Sequence, residues 1–247
     1  MHRVLFQIGP ITLYSYGLLV GIGFLLASML VLRDSKRFGL PRDSVFDCLI
    51  AVLLGGIIGG RLLFVALNWD YFFRQPLKVF MLNEGGMAFH GALVAAVAAA
   101  AVTARIKGLS FWKVSDLFAP YIALGHGIGR IGCFLNGCCY GRVLESGIGV
   151  VFPGEAVVRV PTQIYSSLFL ILLYIVLLFI RERSMFDGYV FSMYVMLYSV
   201  FRFVIEFFRG DSQVLFLGLT LAQIISLAML LCGIAMYRFL SRRPYGW

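Results

Sequence analysis

The sequence predicts an all-α integral membrane protein with seven transmembrane helices, its N-terminus outside the cell, its C-terminus in the cytoplasm and a small periplasmic head. The chain has 247 residues, of which 61% are hydrophobic and 13% are charged, whereas a soluble domain is roughly a quarter charged. So few charges cannot cover the surface of a soluble fold. The composition therefore excludes a soluble enzyme, a disordered chain and a nucleic-acid-binding module.

Seven apolar stretches approach the length of roughly 20 residues that a transmembrane helix needs. They cover about residues 12–32, 45–67, 87–104, 117–136, 163–180, 188–207 and 214–237. The first is too long for the apolar core of a signal peptide, and the denser charge follows it, so we interpret it as a span. No linker-like segment divides the chain. Residues 1–247 are therefore predicted to form a single polytopic membrane domain.

The basic residues between the spans predict the orientation, because cytoplasmic loops are enriched in Lys and Arg. One side carries Arg33, Lys36, Arg37, Arg42, Arg105, Lys107, Lys113, Arg181, Arg183, Arg238, Arg242 and Arg243, and the other carries Arg3, Arg74, Lys78, Arg142, Arg159 and Arg209. The first side has twice as many basic residues as the second and is therefore predicted to be cytoplasmic. The connections after the fourth and sixth spans are short, so the head outside the membrane should be small.

Three arginines and a glutamate lie inside the spans, where an ionisable group costs roughly 2.5–3.5 kcal/mol on insertion scales. They are Arg61, Arg130, Arg202 and Glu206. Arg202 and Glu206 are four residues apart and share one helix face. Two interpretations stay open for this pair. It is either an ion pair that neutralises itself or an anion site in which Glu206 orients Arg202.

Arg130 lies in a glycine-rich segment, residues 125–132, which suggests a broken or cavity-lining helix. It has no carboxylate three or four residues away, so an anionic ligand is one natural counter-ion. The other interpretation is an arginine that caps the carbonyls of a broken helix.

Arg61 follows Gly55/Gly59 and Gly56/Gly60, which are typical of a helix-packing face. For Arg61, a packing or snorkelling role and a contact with a lipid headgroup both stay open.

His90 lies at the outer start of the third span, with two glycines shortly before it and Gly91 after it. Histidine titrates near neutral pH, which suits a general base. Together with Arg130 and the Arg202/Glu206 pair, it indicates a site that binds a lipid phosphate and carries out proton chemistry. The sequence contains no HExxH zinc motif, no GxSxG elbow and no paired Asp motif for metal-assisted phosphotransfer. We therefore expect no metal and no cofactor.

At these residues the sequence resembles the prolipoprotein diacylglyceryl transferase family. Residues 129–141, Gly-Arg-Ile-Gly-Cys-Phe-Leu-Asn-Gly-Cys-Cys-Tyr-Gly, resemble its signature, and residues 86–91, Gly-Met-Ala-Phe-His-Gly, resemble its histidine motif. Residues 14–17, 59–61, 114–116 and 201–209 also match. The resemblance runs in order over nearly the whole chain. Cys133, Cys138 and Cys139 are interpreted as lineage variation, and not as a nucleophile or a metal site.

The resemblance implies a multi-pass enzyme of the bacterial inner (plasma) membrane. Its reaction would move the diacylglyceryl group of phosphatidylglycerol to the lipobox cysteine of a preprolipoprotein, forming a thioether and releasing glycerol phosphate. By match to the family, the catalytic residues would be His90, Arg202 and Glu206. The phosphatidylglycerol-binding residues would be Arg130, Tyr16, Asn136, Gly141 and Arg61. An alternative stays open, namely a small anion or lipid transporter that uses the intramembrane arginines without covalent chemistry.

Overall fold

Helices make up most of the protein. The computed structural model describes residues 4–8, 11–81, 85–145, 149–154, 156–210, 213–216 and 218–242. Within these ranges the helices are α1 (Ser15–Asp34), α2 (Arg42–Leu67), α3 (Trp69–Arg74), α4 (Phe89–Ile106), α5 (Phe111–Asn136), α6 (Thr162–Arg181), α7 (Tyr189–Glu206) and α8 (Leu221–Leu240). Short 3-10 turns cover Ser35–Phe38 and Pro76–Phe80. Arg3 and Arg243, which entered the count of basic residues, lie outside the described residues.

Six of these helices are long and apolar enough to cross a membrane. They are α1 with the turn that follows it to Phe38, α2, α4, α6, α7 and α8. Side chains such as Leu62, Val94, Leu172, Phe179 and Leu231 are more than half exposed. A soluble protein would bury such side chains, whereas a membrane protein presents them to lipid. The helix α5 is 26 residues long, but its glycines and its charged and polar residues make it less apolar than the other six.

Six short strands form three antiparallel hairpins in the described parts of the chain. Their pairs are β1 (Val4–Ile8) with β2 (Ile11–Tyr14), β3 (Val150–Val151) with β4 (Val158–Arg159), and β5 (Val214–Phe216) with β6 (Leu219–Thr220). They correct two predicted span boundaries. The predicted spans include residues 12–14 and 214–220, but residues 12–14 lie in β2, and Val214–Phe216 and Leu219–Thr220 form β5 and β6, because apolar and β-branched residues also favour strands. The helix α8 begins only after Thr220, whose side chain forms a capping box with Gln223.

The helices divide into two compact units. In the unit Leu32–Val114, α2 and α4 pack through small residues. A Cβ atom on Gly55 would lie 2.9 Å from the carbonyl oxygen of Ala95, and one on Gly59 would lie 2.5 Å from that of Gly91. Only glycine allows this approach, because a real Cβ atom is not found so close to another heavy atom. The helix-packing face that the spacing of these glycines predicts is confirmed.

The unit Met1–Val31 with Ser115–Trp247 has its apolar core between α5, α6 and α7. The core residues are Ala119, Ala123, Leu170, Leu173, Leu177 and Val190. The glycines of α5 make close contacts with neighbouring helices. A Cβ atom on Gly23 of α1 would lie 2.9 Å from the carbonyl oxygen of Gly125, and Ser167 of α6 donates to the carbonyl of Gly127 at 2.9 Å. The sequence left two alternatives for residues 125–132, a broken helix or a cavity-lining one. Helix α5 is continuous from Phe111 to Asn136, which excludes the first, and His126 and Arg130 of this segment line a cavity.

Asp116 near the start of α5 caps the N-terminus of α7. Its carboxylate accepts the backbone N–H groups of Gly188 at 2.6 Å and Phe191 at 2.8 Å. The first N–H groups of a helix have no partner within the helix, and the N-terminus carries partial positive charge, so a buried carboxylate is well placed there. This contact helps to fix the position of α7, the helix that carries Arg202 and Glu206.

Candidate active site

Three arginines surround a small cavity between α5, α6 and α7. The cavity is lined by His126, Arg130, Thr162, Ser166, Leu170, Tyr198, Phe201, Arg202, Ile205 and Arg209. Its volume is about 10 Å³, which is roughly the space that one water molecule needs. An anionic headgroup would therefore enter only if the lining side chains move apart. Arg130 and Arg202, which the sequence singled out separately, meet here.

Arg130 contacts a histidine and not a carboxylate. Its Nε–H donates to Nε2 of His126, one turn earlier in α5, at 3.2 Å. Because Arg is a donor only, Nε2 must accept, so His126 is neutral and carries its proton on Nδ1. In the described part of the chain, no carboxylate pairs with Arg130. Among the described residues its positive charge therefore has no carboxylate counter-ion, and its terminal guanidinium nitrogens can bind a ligand.

Glu206 links the other two arginines of the cavity. Its carboxylate accepts a short hydrogen bond from Nη1 of Arg202 and lies 3.9 Å from Nε of Arg209. The Glu206 side chain is only 2% exposed. Arg209 lies just beyond the end of α7, yet it still reaches the same carboxylate. The geometry accommodates both interpretations of the Arg202/Glu206 pair, because Glu206 both neutralises Arg202 and orients it towards the cavity.

Thr220 is a site residue that the sequence analysis did not find. Its hydroxyl donates to the second carboxylate oxygen of Glu206 at 3.0 Å and accepts the backbone N–H of Gln223 at 3.3 Å. One threonine thus caps α8 and holds Glu206. The spacing Thr220-Leu-Ala-Gln223 is the sequence signal of a capping box, and it was missed because the predicted span began at residue 214.

Gly141 brings the segment after α5 against the end of α7. Its N–H donates to the carbonyl of Val160 at 2.8 Å, and the N–H of Arg142 donates to Phe208 at 2.9 Å. A Cβ atom on Gly141 would collide with the carbonyl oxygen of Phe208. Any larger residue would push away the turn that carries Arg209. The geometry therefore supports a positioning role for Gly141.

Tyr16 and Asn136 lie near the same end of α5 but outside the lining of the cavity. Tyr16 is in the first turn of α1, where its Cα would be 3.3 Å from a Cβ atom on Gly132, and its side chain is exposed. Asn136 is the last residue of α5 and is half-buried. Thr162 and Ser166 of α6 do line the cavity.

Arg61 of α2 is buried and directs its side chain at the main chain. Its five N–H groups donate to the carbonyls of Val79 (2.8 Å), Gly85 (2.6 Å), Gly86 (2.9 Å), Met81 (3.2 Å) and Lys78. A guanidinium has five donors, so none is left for a phosphate. Of the two roles that the sequence left open for Arg61, the geometry supports the structural one. The side chain fixes the loop that leads into α4.

His90 is the second residue of α4 and is exposed. The ring of Phe89 lies edge-on to its imidazole, with 5.7 Å between the ring centroids. No described residue forms a hydrogen bond with it. The backbone N–H of Ala88, just before the helix, donates to the carbonyl of Gly60 at 2.9 Å. This bond and the contacts of Arg61 fix the entry to α4 and hence the place of His90.

The fold and the cavity define a polytopic membrane protein in which no carboxylate among the described residues pairs with Arg130 of the cavity, as expected of a protein that handles an anionic ligand. A family model described as prolipoprotein diacylglyceryl transferase matches residues 3–239. The chain belongs to this family, and it is an enzyme of the transferase class. A transporter without covalent chemistry finds no support in these comparisons.

Curated relatives agree with the family model over nearly their whole length. A protein of Shouchella clausii is 37% identical over 99% of this chain and 92% of its own. One of Geobacter sulfurreducens is 37% identical over 98% of this chain and 96% of its own, and one of Bacillus licheniformis is 34% identical over 97% and 92%. Each is named phosphatidylglycerol–prolipoprotein diacylglyceryl transferase.

Proposed function

We propose that this protein transfers the diacylglyceryl group of phosphatidylglycerol to the lipobox cysteine of a preprolipoprotein. In this reaction the bond between the glyceryl carbon and the phosphate oxygen breaks, a carbon–sulfur bond forms, and glycerol phosphate leaves. The observation that carries the proposal is Arg130, whose charge lies in a cavity within the helices without a carboxylate partner among the described residues. A phosphate is a counter-ion that a guanidinium binds in a bidentate manner.

The charge on the phosphate changes during this reaction in the direction that arginines stabilise. The phosphodiester of phosphatidylglycerol carries one negative charge, and the departing glycerol phosphate gains a second as its bond to carbon breaks. Positive groups held in a low-dielectric site favour the state with more negative charge. Arg130 and Arg202 would therefore stabilise the transition state more than the bound lipid, which is the condition for a faster reaction.

Glu206 would keep Arg202 in its working orientation. A lone carboxylate in the cavity would repel a phosphate, but its charge is committed to Arg202 and, at longer range, to Arg209. Thr220 holds the other oxygen of the carboxylate. In this proposal Arg202 on α7 contacts the phosphate, and Glu206 and Thr220 act through Arg202. Arg130 binds the same phosphate from α5.

His90 is our candidate for the group that accepts the proton of the lipobox thiol. A cysteine thiol has a pKa of about 8.5 and must lose its proton to attack carbon. The match to the family's histidine motif and the exposed imidazole at the start of α4 support this role. Tyr16 and Asn136 are proposed to contact the substrate lipid outside the cavity, also by their match to the family.

We further propose that α5 is the seventh span and that the cavity end of α5 faces the outside of a bacterial inner (plasma) membrane. The excess of basic residues in the loops near Lys36 and Lys107 supports this orientation. Single cysteines introduced near Tyr71 and Glu145, in a chain without other cysteines, should react with an impermeant reagent on intact spheroplasts. Cysteines near Lys36 and Lys107 should react only after lysis. The reverse pattern would contradict the orientation.

One experiment tests the reaction directly. The purified protein is incubated with phosphatidylglycerol and a peptide that contains a lipobox cysteine. The expected product is a peptide whose mass has risen by one diacylglyceryl unit on the cysteine sulfur, with release of glycerol phosphate. An unmodified peptide, together with anion flux through proteoliposomes that contain the protein, would refute the proposal.

A further inference from the structure

Three cysteine thiols lie together at the end of α5. The Sγ atoms of Cys133, Cys138 and Cys139 are all within 4.8 Å of one another. All three are free thiols, as are the two remaining cysteines, Cys48 in α2 and Cys232 in α8. The sequence predicts no metal site at these three cysteines. The spacing alone does not show that they converge, since one of them is in a helix and two are in the loop that follows.

A reversal of the chain brings Cys138 back towards Cys133. Gly137 follows the last residue of α5 with a φ of 71°, the left-handed conformation that ends many helices. The backbone N–H of Cys138 then donates to the carbonyl of Cys133 at 3.2 Å, and the Cys138 thiol points at the same carbonyl, 3.6 Å away. The two thiols are thus placed side by side by the helix end itself.

The start of α6 holds the other part of the loop. Gln163 donates to the carbonyl of Cys138 at 2.6 Å, and Thr162 donates to the carbonyl of Cys139 at 2.9 Å. Cys139 is held in the left-handed region with a φ of 63°, and no other non-glycine residue in the described part of the chain has a positive φ. Such conformations are costly and persist where the surroundings impose them. The backbone of the loop is therefore fixed by hydrogen bonds of its carbonyl groups to α6, and these bonds do not involve the sulfur atoms.

We propose that the thiolates of Cys133, Cys138 and Cys139 bind one soft d10 cation, either Cu(I) or Zn(II). Thiolate sulfur is the ligand that such ions prefer in proteins. A zinc–sulfur bond of about 2.3 Å places two sulfur ligands roughly 3.8 Å apart in tetrahedral geometry and about 4.0 Å apart in trigonal geometry. Sulfur atoms already within 4.8 Å of one another need to move by about 1 Å or less to reach these separations. Binding would release the thiol protons.

Two arginines place positive charge near the proposed ligands. The charge of Arg130 acts on the thiols of Cys133 and Cys139, and that of Arg209 acts on Cys139. Three thiolates leave a net charge of −2 around Cu(I) and −1 around Zn(II). Nearby guanidinium groups offset part of that charge. The arrangement thus supplies both the donor atoms and the compensating charge.

Metal titration of the purified protein tests this site without relying on turnover. The protein is reduced, freed of reductant under argon and titrated with Zn(II) or with Cu(I) against a chromogenic chelator. We expect one equivalent of one of these ions to be retained, and the two titrations show which. Replacement of any one ligand, by Cys133→Ser, Cys138→Ser or Cys139→Ser, should weaken the affinity by about tenfold or more. The matched controls Cys48→Ser and Cys232→Ser should bind as the wild type does.

A second measurement needs no substitution and so stays informative if a variant does not fold. Wild-type protein with and without one equivalent of the metal is alkylated with N-ethylmaleimide, digested and analysed by mass spectrometry. The metal should protect Cys133, Cys138 and Cys139, but not Cys232. The proposal is overturned if neither ion is retained, if Cys232→Ser abolishes binding, or if protein isolated without reductant already contains a disulfide among the three.

Discussion

Arg130→Lys probes the proposed phosphate contact most directly. The substitution keeps a positive charge in α5 but removes the planar fork of the guanidinium. In the structure Nε of Arg130 is committed to His126 at 3.2 Å, which leaves the N–H groups of the two terminal nitrogens for a phosphate. A lysine ammonium supplies a point charge and does not reproduce two parallel hydrogen bonds. We therefore expect reduced activity even though the charge is conserved.

The size of the effect follows from the number of hydrogen bonds lost. A hydrogen bond to a charged group contributes about 1.5–3 kcal/mol, and each 1.36 kcal/mol changes a rate tenfold. Arg130→Lys, which loses about one of two such bonds, should lower kcat/KM by roughly 10- to 150-fold. Arg130→Ala, which loses both, should lower it by roughly 10² to 10⁴.

The assay is transfer of the diacylglyceryl group to a lipobox peptide in detergent, followed by mass spectrometry over a range of phosphatidylglycerol concentrations. Arg142→Lys is the matched control. Arg142 belongs to the same unit, but it is exposed and its guanidinium lies over the ring of Phe208, 5.9 Å from the centroid. It does not line the cavity, so its replacement should leave kcat/KM within about twofold of the wild type. Near-normal kcat/KM for Arg130→Ala, in protein with an unchanged melting temperature, would refute the assignment.

Three further predictions concern other parts of the structure. His90→Gln should lower turnover by about 10²- to 10⁴-fold, because glutamine cannot accept the thiol proton; near-normal turnover in folded protein would show that His90 is not the base. Thr220→Val should lower the free energy of unfolding by about 1–3 kcal/mol and reduce kcat, because it removes both the cap of α8 and the hydrogen bond to Glu206. Thr220→Ser keeps the hydroxyl and should have the stability and kcat of the wild type. Gly59→Ala should destabilise the protein by about 1–3 kcal/mol in thermal unfolding, because its Cβ atom would collide with α4. Gly56→Ala should be neutral or stabilising, because the nearest atoms of α4 lie 4.0 Å from the added Cβ atom. Equal losses of stability in the two variants would contradict the packing of α2 on α4.

The catalytic candidates could be found from sequence, but only Arg202 and Glu206 could be joined as neighbours, through their spacing on one helix. Arg130, Arg202 and Glu206 stood out because ionisable groups inside apolar spans are costly. The sequence places no carboxylate three or four residues from Arg130, and its partner in the structure is His126, four residues earlier. Thr220 was hidden because the chain before α8 is as apolar as the helix itself. Composition does not distinguish a short strand from a helix there.

The sequence by itself determined the long apolar helices, the glycine packing face of α2, and the charged residues within the spans. These features are local, because they depend on hydrophobicity and on helical spacing within one segment. Only the tertiary structure decided that Arg61 donates its hydrogen bonds to the carbonyls of a loop 17–25 residues away. It also decided that Thr220 donates a hydrogen bond to Glu206. It also brought three cysteines together through the turn at Gly137. The path of a chain between helices depends on which buried polar groups find partners, and those partners come from other segments.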